Sequence, residues 1–483
     1  MGVSDVLSIG VSALYAMKTS LEVTSENISN ANTDGYSKQT AILKEGIPTL
    51  DGNFFVGSGV RVASIRRAYD DFLQKQMVNS NSASGNYTTQ QTAMQRVEQL
   101  FNELSTTGLG TDLTSFFNAW QDLADNPSGQ AELQAVLAQG NTLVSDFHQM
   151  NYDLNHVKTD ANQTLQSMTS EINDQLKQIA SLNGEIQQMD FQGGDANELR
   201  DSRDQLVQEL STKIGVTFLN NSDGTISVTL PQGATLVTGN QAGSLSLEAD
   251  ANNSGLYKVM LTGPGGSTSN DITQILQRTD GNQGEIGATL QIRDSLVDGF
   301  ISGLDELAYN LAAQVNSVHS TGFSSTGTTG LDFFSAPSTP TPPATFAAGY
   351  SSNIAMNVTN INDIAAASAD PTVNGTTGDN GNALKIAALS MQSISMSTGN
   401  STLSEFYNSL VGKAGVATQT AEQGATQSSA TLTQLRNMRD STAGVSLDEE
   451  LSNLMAYQKS YEGAAKMINV GTEMLDTVLS LIQ

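Results

Sequence analysis

The chain has 483 residues, no cysteine, and 22 basic against 49 acidic side chains, a net charge of −27. That length allows several domains and a large buried core. The missing cysteines exclude a disulfide frame, thiolate metal ligands and a thiol nucleophile, and the acidic surface repels nucleic acid and anionic lipid, so neither is an expected partner.

The first predicted element is a helix from about Ser4 to Ser29. Positions spaced alternately four and three apart read Leu7, Val11, Leu14, Lys18, Leu21, Ser25 and Ile28. Such a seven-residue repeat describes a narrow coiled-coil seam more than the broad stripe of a core helix. Residues 1–17 hold no Lys or Arg, so the charged start of a cleaved secretory signal is missing. No run of about 18 apolar residues occurs, so no membrane-spanning helix is expected. The helix should stop at Asn30-Ala31-Asn32-Thr33-Asp34-Gly35-Tyr36, because Asn and Gly take the left-handed geometry that ends helices. Within that stop, Asn32, Gly35 and Tyr36 are expected to set the exit direction and present a contact.

A Gly-punctuated, strand-biased stretch runs from Lys38 to Ile65. Helical texture then dominates from Arg67 to Gly215, with breaks at 105–110, at Asn126-Pro127 and at Gly193-Gly194. Inside it lies a second seam: Leu165, Met168, Ile172, Gln175, Ile179, Leu182, Ile186 and Met189. From Val216 to about Leu290 the period becomes two. Thr225 to Leu230 and Tyr257 to Thr262 alternate polar and apolar beside the turns Asn221–Gly224 and Gly263–Gly266, which are hairpin signals.

A helix is expected from Ile286 to His319. The Pro-rich stretch from Pro337 to Pro343 opens a loop reaching Gly381, expected to cross the surface with little core of its own. Helix should resume at Asn382–Met396 and at Leu403–Asp440. The last helix starts at Ser446, where Ser446 and Glu449 fit a capping box. Its seam reads Leu447, Leu451, Leu454, Gln458, Tyr461, Ala465, Ile468, Thr472, Leu475, Leu479 and Ile482. Lys18, Ser25, Gln458, Thr472 and Gly463 interrupt the two seams, and are expected to set register or partner choice.

No pattern points to catalysis or to a cofactor. His148 and His156 share a helix face but stand roughly 12 Å apart at 1.5 Å per residue, too far for one ion, and His319 is alone. Asp250–Gly255 starts like a calcium loop, yet its twelfth position is Leu261, where a bidentate Glu is needed. It reads as a hairpin turn. Gly263–Thr268 lacks the Lys of a phosphate loop. Glu449-Glu450 sit at a helix start, where they favour the dipole.

Two end motifs carry a resemblance. Glu26-Asn27-Ile28-Ser29-Asn30-Ala31-Asn32-Thr33-Asp34-Gly35-Tyr36-Ser37-Lys38-Gln39 is similar to the N-terminal signature of bacterial flagellar rod, hook and hook-associated proteins. Leu447-Asp448-Glu449-Glu450-Leu451, with Tyr457-Gln458-Lys459-Ser460-Tyr461, resembles their C-terminal signature. The interior narrows the choice. Glu198-Leu199-Arg200-Asp201-Ser202-Arg203-Asp204-Gln205-Leu206-Val207, Phe116-Phe117 before Asp125-Asn126-Pro127, and Gly322-Phe323 before Asp332-Phe333-Phe334 resemble the hook–filament junction member of that family. Lys38 stands where the family often has Arg, and Gly463-Ala464 where Ala-Asn is usual. The Pro-rich stretch stands where the family commonly carries an outward β domain, so the resemblance implies a short form.

The expected fold is α+β and mainly α. Terminal helices pair as a coiled coil (1–65 and 441–483). A long, rod-like helical middle domain (66–215 and 286–440) carries the loop 335–381, and a small antiparallel β region (216–285) is inserted in it. The resemblance implies a structural, non-enzymatic role without cofactors. It implies self-assembly into a ring through the terminal seams and contact with the hook protein and the next hook-associated junction protein. It also implies uncleaved secretion through flagellar type III export, to the outside of the cell, with an export chaperone covering the last helix. The alternatives are another axial subunit of hook or rod, or a secreted helical adhesin-like binding protein.

Overall fold

The computed structural model describes residues 3–51, 54–101, 108–278, 280–338, 346–375 and 378–481. Contacts divide the chain into two compact units. One comprises 1–85, 168–285 and 426–483, the other 86–167 and 286–425. These boundaries fall inside helices, whereas the sequence division placed them at changes of texture.

The first unit begins with α1 (Val3–Ser29). Strands β1 (Gln39–Glu45) and β4 (Val60–Arg67) pair antiparallel with a bulge between Ile42 and Leu43, and enclose the hairpin of β2 (Thr49–Asp51) and β3 (Phe54–Val56). The start of α2 (Asp71–Phe101) and the end of α4 (Gln130–Phe191) follow, then α5 (Asn197–Lys213). Two small sheets come next. Strands β5 (Thr217–Asn220), β6 (Ile226–Thr229), β7 (Thr235–Thr238) and β8 (Gln241–Ala242) form a meander in chain order. Strands β9 (Ser244–Ala249), β10 (Tyr257–Thr262) and β11 (Ser269–Asp271) form a second, followed by the single turn α6 (Thr273–Leu276). The Asp250 carboxylate accepts from the Asn252 N–H and closes the expected hairpin turn.

Helices hold extended backbone here by a recurring device. Asn173 on α4 donates to the Leu245 carbonyl at 2.8 Å and accepts from its N–H at 2.7 Å. Asn183 makes the same two-point pair with Ile226, at 2.9 and 3.0 Å. An amide side chain has one acceptor and two donors, so it mimics a neighbouring strand. Asn183 thus occupies a buried heptad position between Ile179 and Ile186, where a purely apolar seam would place Leu182.

The second unit contains the rest of α2 and α4, with α3 (Leu109–Asp125), α7 (Gly284–Gln291) and α8 (Val297–His319). It also holds the short turn α9 (Pro371–Asn374), α10 (Gly381–Ala388), the hairpin β12 (Ile394–Met396) with β13 (Gly399–Ser401), and the start of α11 (Leu403–Ala443). Its core is aromatic. Phe116, Trp120, Phe333 and Phe334 are fully buried, with Phe116 5.7 Å from Phe333 and Phe333 4.9 Å edge-on from Phe334. Each such buried ring contributes roughly 2–3 kcal/mol. The asparagine pair appears again, Asn316 bonding both backbone groups of Phe334.

Four details differ from the sequence reading. The single helix expected at 286–319 is split by a wide turn, Ile292–Leu296, where Arg293 is buried and bonds Asn162 and Asp294. The helix expected through Met396 ends at Ala388; the alternating Ile394-Ser395-Met396-Ser397 turns back as a hairpin, and Ser397 donates twice to Glu306. The stretch 346–367 is a loop but not coreless: Tyr350, Ile354, Val358 and Ile364 are buried. Of the loop expected at 335–381, Pro337 lies in the described part, whereas 339–345 and 376–377 lie outside the described residues. The capping box forms not at Ser446 but at Thr402, which bonds Glu405 reciprocally at 2.8 and 3.2 Å.

The final helix is α12 (Leu447–Ser480). By length and composition alone, Ser4–Ser29 of α1 would also suffice to cross a membrane, contrary to the reading from apolar runs. Its polar face (Ser20, Thr24 and Asn27) is buried within the first unit.

Candidate assembly interface

Helices α1 and α12 lie side by side and run antiparallel. Leu7 meets Gly471, Gly10 meets Ala464 and Ile468, and Asn27 meets Glu450. The buried residues are Gly10, Ala16, Ser20, Val23, Thr24 and Asn27 on α1, and Glu450, Ala464 and Gly471 on α12; all but Val23 are small or polar. The fit is close. A Cβ on Gly10 would sit 2.9 Å from Ile468 Cγ1, and one on Gly471 would sit 2.8 Å from Leu7 Cδ2.

On α1 the contact face is therefore the expected heptad shifted back by one residue. One residue turns the helix by about 100°. Leu7, Leu14, Leu21 and Ile28 are left half-buried and Val11 exposed. On α12, Leu454, Tyr461 and Ile468 are half-buried, while Leu447, Leu451, Leu475 and Leu479 are exposed. Leu451 keeps 49% and Leu479 54% of its surface in water. Ile482 lies outside the described residues. The interrupting residues Lys18, Ser25, Gln458, Gly463 and Thr472 are all exposed, so none lies in the seam between the two helices.

The end of α1 carries a buried polar node. Asn27, 1% exposed, donates to the Gln39 carbonyl at 2.8 Å and to Glu450 Oε2 at 3.1 Å, and accepts from the Gln39 N–H and from the Tyr36 hydroxyl, each at 2.9 Å. Every hydrogen bond open to a side-chain amide is made. Glu450, 2% exposed, also faces the Lys38 ammonium at 3.4 Å, and Glu449 takes the same ammonium at 2.9 Å. Burial pulls the Lys38 pKa down, but the two carboxylates outweigh it and leave it raised. Burial, reinforced by Glu26, Glu198 and Asp201, pushes the Tyr36 hydroxyl up, so it stays a neutral donor. Arg439 of α11 bonds the Tyr36 carbonyl at 2.8 Å.

The turn is seated on α5. Gly35 has φ +85°, and a Cβ there would lie 2.7 Å from Gln205 Oε1. The Ser37 N–H donates to Asp201 at 2.9 Å, Gln39 bonds Glu198 at 2.9 Å, and Arg67 joins Asp201 and Asp204 at 2.5 and 2.6 Å. Burial raises the Asp204 pKa against the pull of Arg67 and Arg203. Asn32 is exposed and makes none of these contacts. Sequence reasoning quoted Asn27, Glu198, Asp201 and Gln205 as motif letters without linking them. The one available signal was a polar Asn at a seam-adjacent position before a turn.

A cavity of about 360 Å³ lies beside the turn, lined by Asp34, Arg67, Asp204, Gln205, Arg439 and Asp440 among others. Arg67 there serves the pairs with Asp201 and Asp204, and Arg439 the Tyr36 carbonyl. Among the described residues no group of His, Asp and Glu could hold a metal ion. His148 bonds the Ile354 carbonyl, and His156 pairs with Asp160.

Comparison with known proteins gives one consistent answer. Residues 94–334 match the sequence family "Flagellar hook-associated protein FlgK helical domain". Residues 7–36 match "Flagella basal body rod protein", and 439–481 match "Flagellar basal body rod FlgEFG protein C-terminal". The chain is 28% identical to flagellar hook-associated protein 1 of Bacillus subtilis, over 97% of this chain and 96% of that one. It is 28% identical to the protein of the same name from Salmonella typhimurium, over 99% and 100%. A solved structure of the flagellar hook junction protein FlgK from Burkholderia pseudomallei shares the fold. Its TM-score is 0.66 at 17% identity, over 76% of this chain and all of that one.

Proposed function

Because the chain belongs to the flagellar hook-associated protein 1 family, we propose that it is a structural subunit at the hook–filament junction of the bacterial flagellum, assembling with copies of itself through its terminal helices. The observation that carries this is the exposed apolar surface of α12 on both sides of its packed inner face: Leu447, Leu451, Leu475 and Leu479 along one side, and Met455, Met467, Val470 and Met474 elsewhere around the helix. Burying the remaining half of one such side chain is worth about 1 kcal/mol. Eight together give a strong drive to associate.

In this reading the subunits form a ring whose neighbours are the hook protein on one side and the next hook-associated junction protein on the other. The chain leaves the cell uncleaved through the flagellar export apparatus, and a chaperone shields α12 beforehand. The role is mechanical, with no cofactor, nucleic acid or membrane partner.

Leu451→Asp combined with Leu475→Asp tests the reading. Both positions face water in the single chain, so melting should stay nearly unchanged while assembly and motility are lost. Filaments that stay attached in this double variant would refute assembly through α12.

A further inference from the structure

We propose that the node formed by Asn27, Glu450 and Lys38 selects the register in which α12 docks on α1. The apolar part of the interface cannot make that choice. Two glycine sockets, Gly10 receiving Ile468 and Gly471 receiving Leu7, are filled in the observed alignment. Sliding α12 by seven residues would offer Leu475 to Gly10 and Leu14 to Gly471, both aliphatic and of similar size. Because that slide keeps the same faces together, packing distinguishes the two registers weakly. The buried Ser20 hydroxyl is spent within its own helix, on the Ala16 carbonyl at 2.9 Å, and gives no direction.

The node does distinguish them. A slide of seven in either direction replaces Glu450 with Tyr457 or Ala443 opposite Asn27. A slide of three or four brings Ser446, Leu447, Asn453 or Leu454. None supplies a carboxylate. Opposite Ala443, Leu447 or Leu454 the Asn27 amide would keep an unpaired buried N–H, opposite Ser446, Asn453 or Tyr457 it would find at best a neutral acceptor, and in every case the Lys38 ammonium would lose the carboxylates it faces. An unsatisfied buried polar group disfavours an alternative far more than a satisfied one favours the native state. A buried polar contact that is satisfied in one alignment only is an arrangement that fixes register. Asn27 also closes the Gln39 backbone and the Tyr36 hydroxyl, so correct docking of α12 and ordering of the 30–39 turn are one event. Register sets which α12 residues face outward; only that consequence rests on the assembly reading above.

The cysteine-free chain permits a direct test by disulfide trapping in the full-length protein. Gly10→Cys with Ala464→Cys reports the observed register. Met17→Cys with Ala464→Cys reports the slid one, since seven residues move a position by about 10 Å, beyond disulfide reach. With the node intact, only the first pair should close. In the background Asn27→Leu with Glu450→Leu, the second pair should close several-fold more than before, at the expense of the first. Glu450→Gln, which keeps an acceptor for Asn27, should retain preference for the first pair. An unchanged preference in the leucine background overturns the proposal. So does loss of both bridges there, because the node would then hold the pair together rather than choose its alignment. The readout needs no other flagellar protein, so it fails or succeeds independently of the junction role.

Discussion

Asn27 on α1 donates a hydrogen bond to Glu450 on α12 at 3.1 Å, across 423 positions of chain. This contact joins the two end motifs physically. It also explains why the N-terminal motif extends past the helix stop: Tyr36 and Gln39 complete the bonding of the same amide.

Truncating that amide should be costly. Asn27→Ala leaves the Gln39 backbone groups, the Tyr36 hydroxyl and Glu450 short of partners. At about 1–3 kcal/mol per orphaned buried group, partly relieved by water, the loss should be about 2–4 kcal/mol. Urea unfolding followed by circular dichroism reads it. Asn32→Ala, at an exposed position of the same motif, should stay within about 0.5 kcal/mol of the parent.

Two glycines of the terminal helices should respond with opposite signs. Gly463 is helical and exposed, and a Cβ added there would have nothing within 4 Å, so Gly463→Ala should stabilise α12 by about 0.5–1 kcal/mol. Gly10→Val overfills the socket for Ile468 and should destabilise the helix pair by about 1–3 kcal/mol. Paired denaturation curves separate the two effects.

His319 makes the second unit sensitive to acid. Its Nδ1 bonds the Leu331 carbonyl at 2.7 Å, and its Nε2 accepts from the Ala365 N–H at 3.0 Å, so the ring is neutral. Burial holds its pKa below the ordinary 6.5, although the Leu331 carbonyl and Asp332 pull the other way. The unfolded chain binds the proton more readily, so stability is full above about pH 6.5 and declines as pH falls toward the folded-state pKa. The melting temperature of the unit should drop below that pH, and His319→Gln should flatten this dependence while lowering stability at neutral pH.

The long helices, the β hairpins and the stop at Asn30–Tyr36 were legible because period, turn residues and caps are local signals. The seam of α1 was displaced by one residue for a physical reason. Pattern reading ranks Leu above Gly, Ala and Ser, whereas two helices in close contact select small side chains. Leu7 still enters the contact, against Gly471, but Val11, Leu14 and Leu21 are left toward the outside. The loop around Tyr350 and Ile354 looked coreless because its burial depends on α8 and on Phe333, not on its own composition. The seating of Gly35 and Ser37 on Gln205 and Asp201 joins segments more than 160 residues apart, and no local pattern announces it.

Deletion of residues 446–483 tests the central claim most directly. The remaining chain should be secreted as a soluble protein whose second unit melts as in the full-length protein, yet cells carrying it should be non-motile and shed their filaments. Attached filaments and normal motility with the truncated chain would contradict assembly through the terminal helices.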